Sequence, residues 1–297
     1  MGLHNPSDIF AVVRGQDALS SRSTMSIDAL DYDILIVGAG IAGSALAHTL
    51  SSSSPLSKSR ALKIALLERS LSEPDRIVGE LLQPGGVSAL TSLGLRSCLD
   101  GIGAIPVHGY CVVYEGKIVR IPYPGGHEGR AFHHGRFVQA LREKAKQAEG
   151  VDVIEATVTE LVECQFTEKV LGVRARRPGR DEAEVFFANL VVVADGCLSN
   201  LRGRVIRGGL SARRLQTKSH FIGAVLDNVR LPIDKHGTVA LVPGSGPVLM
   251  YQIEERDTRI LIDIKAPLPS DLQVPSLPLT LPLNPCIDHF MTLVLYP

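Results

Sequence analysis

Residues Tyr32–Gly43, YDILIVGAGIAG, constrain this chain more than any other stretch. Ile34–Val37 is a short apolar run with β-branched members, the composition of a strand buried on both faces in a parallel sheet. Gly38-Ala39-Gly40-Ile41-Ala42-Gly43 follows without a break, and Ser44–Leu50 then reads as a helix. A G-x-G-x-x-G alone says little, but wedged between a buried strand and a helix start it is a dinucleotide-binding fingerprint. Gly38 makes the tight turn, Gly40 removes the Cβ that would block a pyrophosphate, and Gly43 lets helix and strand pack closely. The helix N-terminus adds free N–H groups and a partial positive charge. The competing reading is a glycine-rich turn that holds no ligand.

The rest of the chain favours the ligand. Lys63–Leu67 predicts a second strand ending at Glu68-Arg69, where an acidic residue normally holds a ribose hydroxyl. Glu68 lies somewhat further along than the usual ~20 residues, and the polar loop Ser51–Ser59 accounts for the excess. A solvated strand-end glutamate is the bland alternative. Leu190–Val193 is apolar throughout and runs into Ala194-Asp195-Gly196, which suggests a return to the same parallel sheet.

Between these strands, Val87–Leu95 has helical spacing with Gly94 as its stop, and Tyr110–Tyr114 with Lys117–Ile121 reads as a hairpin. His133-His134 precede a helix over Phe137–Ala145. With no Cys, Asp or Glu beside them at ligand spacing, these histidines point to hydrogen bonding or packing, and no metal site is expected. The runs 151–154, 157–162, 170–175 and 184–188 read as a small sheet, and those near 221–226, 239–242, 248–253 and 259–264 as the floor of a second, antiparallel domain.

Composition narrows the partners. Lys plus Arg and Asp plus Glu are equal at 31 each, leaving no basic surplus for nucleic acid. The five cysteines are scattered and odd in number, which suits reduced thiols facing the cytosol better than a disulfide framework. No stretch approaches the roughly 20 unbroken apolar residues of a membrane-spanning helix.

The segments GAGIAG (38–43), LLERS (66–70), EPDRIVGELLQPGG (73–86), GRAFHHGRF (129–137) and VVADGCLSNLR (192–202) together resemble the squalene monooxygenase (squalene epoxidase) family, with a fungal character. PVLMYQI (247–253) and LIDIKAPLPSDL (261–272) extend the resemblance, which covers about Tyr32 to Asp271. It implies an α/β fold in which a Rossmann-like FAD-binding domain is interleaved with a mainly antiparallel β-sheet substrate domain, as in flavin monooxygenases. The implied layout is a flexible extension at 1–30, FAD-binding parts at 31–105 and 131–205, a substrate-domain hairpin at 106–130, a substrate-domain sheet at 206–271 and a divergent Pro/Leu-rich tail at 272–297.

The resemblance also implies site residues. Gly38, Gly40, Ile41, Ala42 and Gly43 would form the pyrophosphate turn, and Glu68 and Arg69 would hold ribose and adenylate. Arg76 would lie near the isoalloxazine, Arg136 would reach the cofactor from its helix start, and Val158 would pack on the adenine side. Asp195 and Gly196 would support both cofactor regions, and Tyr110 would stand in the active site. The implied activity is epoxidation of squalene by dioxygen to 2,3-oxidosqualene in sterol biosynthesis, through a flavin C4a-hydroperoxide. NADPH-cytochrome P450 reductase would be the electron donor, at the endoplasmic reticulum membrane.

After Asp271 the sequence departs from the family pattern, and the Gly-Asp segment expected there does not follow. The chain is therefore expected to be partial, with little or no epoxidase activity by itself. The alternatives are a non-catalytic FAD- or nucleotide-binding fragment, or another FAD oxidoreductase acting on isoprenoids. An NAD-linked dehydrogenase fits the Asp-Gly turn and central β-rich insertion least well.

Overall fold

In a computed structural model the described residues are the backbone of 11–14, then 31–53, 61–205 and 217–267. The tail at 272–297 and most of the expected extension at 1–30 lie outside them. In chain order the elements are β1 (Ala11–Arg14), β2 (Tyr32–Val37), α1 (Ile41–Ser53), β3 (Ile64–Glu68), β4 (Leu81–Leu82) and α2 (Pro84–Ser92). Then come β5 (Ile105–Val107), β6 (Gly109–Tyr114), β7 (Lys117–Pro122), β8 (Gly129–Ala131), α3 (His134–Lys146) and β9 (Val151–Glu155). The remainder are β10 (Thr157–Glu163), β11 (Val170–Arg176), β12 (Ala183–Val193), α4 (Arg202–Val205), β13 (Ser219–Asp227), β14 (His236–Leu241), β15 (Val248–Gln252) and β16 (Asp257–Lys265). Two compact units result, Met1–Glu73 with Val138–Arg214 and Pro74–Phe137 with Leu215–Pro297.

The first unit holds a seven-stranded sheet in the order β10-β11-β12-β2-β3-β9, with β1 paired to β12. β12, β2, β3 and β9 run parallel. The period-2 rule separates their side chains cleanly. Leu35, Val37, Ala65 and Leu67 join Ile154, Val173 and Phe186 on one face, while Ile34, Ile36, Ile64 and Leu66 meet Ala47 of α1 and Ala145 of α3 on the other. Leu35, Ile36, Ile64, Leu66 and Leu67 are at most 1% exposed, each worth about 1.5–3 kcal/mol of burial. Both faces are covered, which is why β2 and β3 read as unbroken apolar runs.

Three expectations are corrected here. The runs 184–188 and 190–193 are one strand, β12. Its first half pairs antiparallel with β11 and its second half parallel with β2, so the alternating pattern gives way to a continuous one when the neighbour changes. β9 belongs to the parallel sheet beside β3, not to a separate small sheet. Four residues of the expected extension, 11–14, pair with β12 along the edge that β11 leaves.

The second unit carries a six-stranded sheet in the order β13-β16-β15-β14-β6-β7, antiparallel except at β14–β6, and a three-stranded sheet β4-β8-β5. The expected hairpin is β6–β7, turning through Glu115 and Gly116, both at positive φ. Cys111, Val113, Ala240, Val248, Met250 and Ile260 pack the larger sheet's core. Helix α2 begins three residues earlier than its apolar spacing indicates, because Pro84 stands in its first turn, where no N–H is needed. α2 and β4, grouped by sequence with 31–105, cluster with this unit.

Candidate functional site

The turn after β2 is shaped by steric necessity. Gly38 has φ +102°, and a Cβ there would stand 2.5 Å from the Ala194 carbonyl oxygen and 2.8 Å from Asp195 Cα. A Cβ on Gly43 would stand 1.9 Å from the Gly38 carbonyl oxygen. Gly40, by contrast, faces open space, with nothing within 4 Å. Two glycines let protein pack on protein, and the third leaves room for something else. Helix α1 starts at once: Ile41 is exposed, Ala42 half-buried, and the Ser44 N–H reaches the Gly40 carbonyl at 3.0 Å.

Glu68 ends β3 beside this turn. Its Oε2 accepts the Ala39 N–H at 2.8 Å and its Oε1 the Ser70 N–H at 3.3 Å. Behind it lies Arg142, a residue not singled out from the sequence. Its Nε donates to the Ala39 carbonyl at 2.8 Å, one terminal nitrogen donates to the Ser72 carbonyl at 3.0 Å, and the other is 3.6 Å from Glu68 Oε2. The guanidinium is almost wholly buried, which pushes its pKa down, while Glu68 and then Glu155 pull it back. A signal was available: Val138, Leu141, Arg142 and Ala145 occupy i, i+3, i+4 and i+7, so the arginine sits in the buried stripe of α3.

The Asp195-Gly196 turn lies against the glycine turn, as the Gly38 contacts show. Arg202 donates to the Gly196 carbonyl at 3.0 Å and to that of Cys197 at 3.3 Å, holding the bend closed. Val158 is half-buried against the core that includes Leu67 and Ile154. Arg69 is exposed next to Glu68. Thus the first unit gathers Gly38, Gly40, Ile41, Ala42, Gly43, Glu68, Asp195 and Gly196 around one turn.

Tyr110, Arg76 and Arg136 belong to the second unit. Tyr110 on β6 accepts a hydrogen bond from the Gln83 side-chain amide, and its ring meets that of Tyr123 edge-on at 5.8 Å. It pairs with Gly237 across β6–β14, and a Cβ on Gly237 would lie 3.2 Å from the Tyr110 ring. Gln83 and Gly237 escaped sequence reasoning because both reach Tyr110 only through the fold. Arg136, in the first turn of α3, donates to Glu254 Oε1 at 2.7 Å and to the Ile102 carbonyl at 3.4 Å. That hydrogen bond, outweighing partial burial, holds the Glu254 carboxyl below the usual range, with Arg136 and His133 charges adding to it. His133 Nε2 is 2.9 Å from Asp257 Oδ2 and 3.4 Å from Glu254 Oε2, while His134 Nδ1 meets the Gly79 carbonyl at 3.2 Å. The adjacent histidines therefore make hydrogen bonds, as expected, and Arg136 already neutralises Glu254. Arg76 is exposed in the loop before Glu80, where the neighbouring Ile77 fills the space over Gly223.

A parallel sheet with this glycine turn, joined to a mainly antiparallel sheet, is the fold of FAD-dependent monooxygenases and halogenases. A probable FAD-dependent monooxygenase of Pseudomonas aeruginosa, PqsL, superposes with a TM-score of 0.59 over 79% of this chain and 60% of its own at 18% identity. The flavin-dependent brominase Bmp2 does so with a TM-score of 0.63, over 79% of this chain and 56% of its own, also at 18% identity. The sequence is more particular. Residues 187–277 match the squalene epoxidase family model. Squalene epoxidase erg1 of Aspergillus fumigatus is 46% identical over 80% of this chain and 48% of its own length. Squalene epoxidase 1 of Arabidopsis thaliana is 44% identical over 78% and 42%, and squalene monooxygenase of Mus musculus 39% identical over 86% and 43%. The chain belongs to the squalene epoxidase family, and it spans about half the length of these relatives or slightly less. With plant and fungal identities so close, nothing singles out a fungal source.

Proposed function

We propose that this chain carries the FAD-holding turn and active-site tyrosine of a squalene epoxidase, a monooxygenase that converts squalene to 2,3-oxidosqualene in sterol biosynthesis. The observation that supports it most is the contrast within the glycine turn. Gly38 and Gly43 are occupied by protein at van der Waals distance or closer, while Gly40 opens onto free space at the start of a thirteen-residue helix. A pyrophosphate fits there, because the helix N-terminus offers N–H donors and no side chain intervenes. The fit extends to Glu68. Two N–H groups use part of its carboxylate, and a carboxylate has about four acceptor sites, so lone pairs remain for ribose hydroxyls.

When bound, FAD supplies the oxygen-activating redox chemistry that no side chain can perform. The chain's own residues do the rest. The turn from Gly38 to Gly43 binds phosphate, Glu68 and Arg69 hold ribose and adenylate, and Val158 packs on the adenine side. Arg142 keeps Glu68 and the turn in place. Asp195 and Gly196 support the cofactor from the neighbouring turn, and Arg76 and Arg136 serve its redox-active end. Tyr110, oriented by Gln83, fixes polarity at the active site, where water must be kept out for oxygen transfer to an alkene. Electrons come from NADPH through NADPH-cytochrome P450 reductase, at the endoplasmic reticulum membrane. No helix among the described residues is long and apolar enough to cross a membrane.

The test has two stages. FAD is titrated into the purified chain by flavin fluorescence, and squalene turnover is then followed with reductase, NADPH and FAD. Saturable FAD binding is the expected result, with any product being 2,3-oxidosqualene, formed far more slowly than by a full-length relative. No FAD binding would remove the cofactor reading, bound FAD without any epoxide would leave the chain a non-catalytic FAD-binding fragment, and a saturated isoprenoid product would assign the chain to a reductase.

A further inference from the structure

Residues 80–83 of the second unit cross the face of its six-stranded sheet and are fastened to four consecutive strands. Glu80, 1% exposed, receives Arg259 Nε and Nη2 of β16, each at 2.8 Å, in a two-pronged ion pair. The Tyr251 hydroxyl of β15 donates to the same carboxylate at 3.3 Å. Tyr251 and Arg259 face each other directly across β15–β16, so both donors rise from one cross-strand pair. Leu81 follows, with a terminal carbon 3.3 Å from where Gly237 of β14 would carry a Cβ. Gln83 then donates to Tyr110 of β6. From behind, the Phe132 N–H holds the Glu80 carbonyl at 2.9 Å.

A buried ion pair is a poor device for stability, because desolvating two charges consumes what their attraction returns. Its distinctive property is orientation: a planar fork on a carboxylate fixes both position and angle. Glu80 stands at one end of this crossing and the Gln83–Tyr110 bond at the other, with a two-residue strand between them.

We propose that Glu80 and Arg259 are positioning residues for Tyr110, acting through Gln83. The inference rests on the reading of Tyr110 as the active-site phenol. The pair sets the register of β4 on the sheet, and that register decides whether the Gln83 amide points at the Tyr110 oxygen.

The test is Glu80→Leu with Arg259→Leu, which removes both charges together and leaves no unpaired ion in the interior. The chain has six tyrosines, so selective isotope labelling at tyrosine Cζ gives a countable spectrum, and Tyr110→Phe assigns the resonance. The double variant should keep a cooperative melt while moving the Tyr110 Cζ resonance towards its position in Gln83→Ala. In a Gln83→Ala background it should move it no further. Arg259→Lys keeps the charge but loses the fork, and should shift the resonance less in the same direction. Should the double variant fail to fold, this single change carries the test. Where the chain turns squalene over, kcat should fall about ten- to a hundredfold, the scale of a small misplacement, with KM largely retained.

A folded variant whose Tyr110 resonance stays at the wild-type position would overturn the proposal, whatever its activity. The two readings fail separately. A shifted resonance in a chain that makes no epoxide at all leaves the positioning role standing and removes the epoxidase.

Discussion

Replacing Arg142 by methionine should loosen the glycine turn while leaving the packing of α3 intact. The methionine keeps most of the apolar stem, so what is lost is polar. Two carbonyls, of Ala39 and Ser72, lose a charged donor at 2.8 and 3.0 Å, and Glu68 loses the cation 3.6 Å away. Hydrogen bonds to charged groups contribute about 1.5–3 kcal/mol each, and leaving a buried acceptor unpaired falls in the same range. Taking the low end for two bonds gives about 3 kcal/mol. At about 2–4 °C per kcal/mol for a domain of this size, the melting temperature should drop by about 6–12 °C. A thermal melt by circular dichroism reads this directly, and an FAD titration of the same variant should show weaker binding. A methionine variant that melts within about 2 °C of the parent and binds FAD equally well would refute the reasoning. The Arg142 hydrogen bonds would then be incidental to the turn.

Three further outcomes follow from the same geometry. Gly43→Ala places a Cβ 1.9 Å from the Gly38 carbonyl oxygen and should destabilise the chain by about 1–3 kcal/mol or more, whereas Gly40→Ala should melt normally and lose FAD affinity; equal melting of the two would contradict the division of labour within the turn. The lowered pKa of Glu254 gives the Arg136–Glu254 pair a defined pH signature. Its stabilisation is fully present above the unfolded glutamate value of about 4.3, and is lost as pH falls through the lower folded value. Acid titration of Arg136→Met against the parent should therefore show the parent's advantage vanishing in acid, and an advantage independent of pH would disprove the pairing. Gly237→Ala should push the Tyr110 ring by a few tenths of an ångström and lower epoxidation without lowering the melting temperature much, as assay and melt together would show.

What could be read in the sequence was what repeats locally. β2, the glycine turn and α1 are adjacent, and each announces itself through strand composition, missing Cβ atoms and helical spacing. Asp195 was legible as a return because an apolar strand ending in a turn has few other uses. The contacts around Tyr110 in the second unit were not legible in this way. Gln83 reaches Tyr110, and Glu80 reaches Arg259, only after the chain has folded back across the sheet, and no spacing rule encodes such a meeting. β12 misled for a different reason. Period 2 describes a strand with one covered face, and β12 changes its neighbours halfway, so one strand looked like two. Arg142 was legible in principle, as a charge in the wrong slot of an amphipathic stripe.

The placement of β12 also matters on the ribosome. β2 and β3 are synthesised early, but the partner that closes the flank of β2 is β12, whose last residue is Val193. At about 5–20 residues per second, β2 waits on the order of ten seconds for that partner, with a row of backbone donors and acceptors unpaired along an apolar strand. Among the described strands, the segment made in the interval supplies β9 for the far side of β3, but nothing for the flank of β2. A nascent chain of this protein is therefore exposed to mispairing along that flank until β12 emerges, and the packing of Gly38 on Ala194 and Asp195 forms only then.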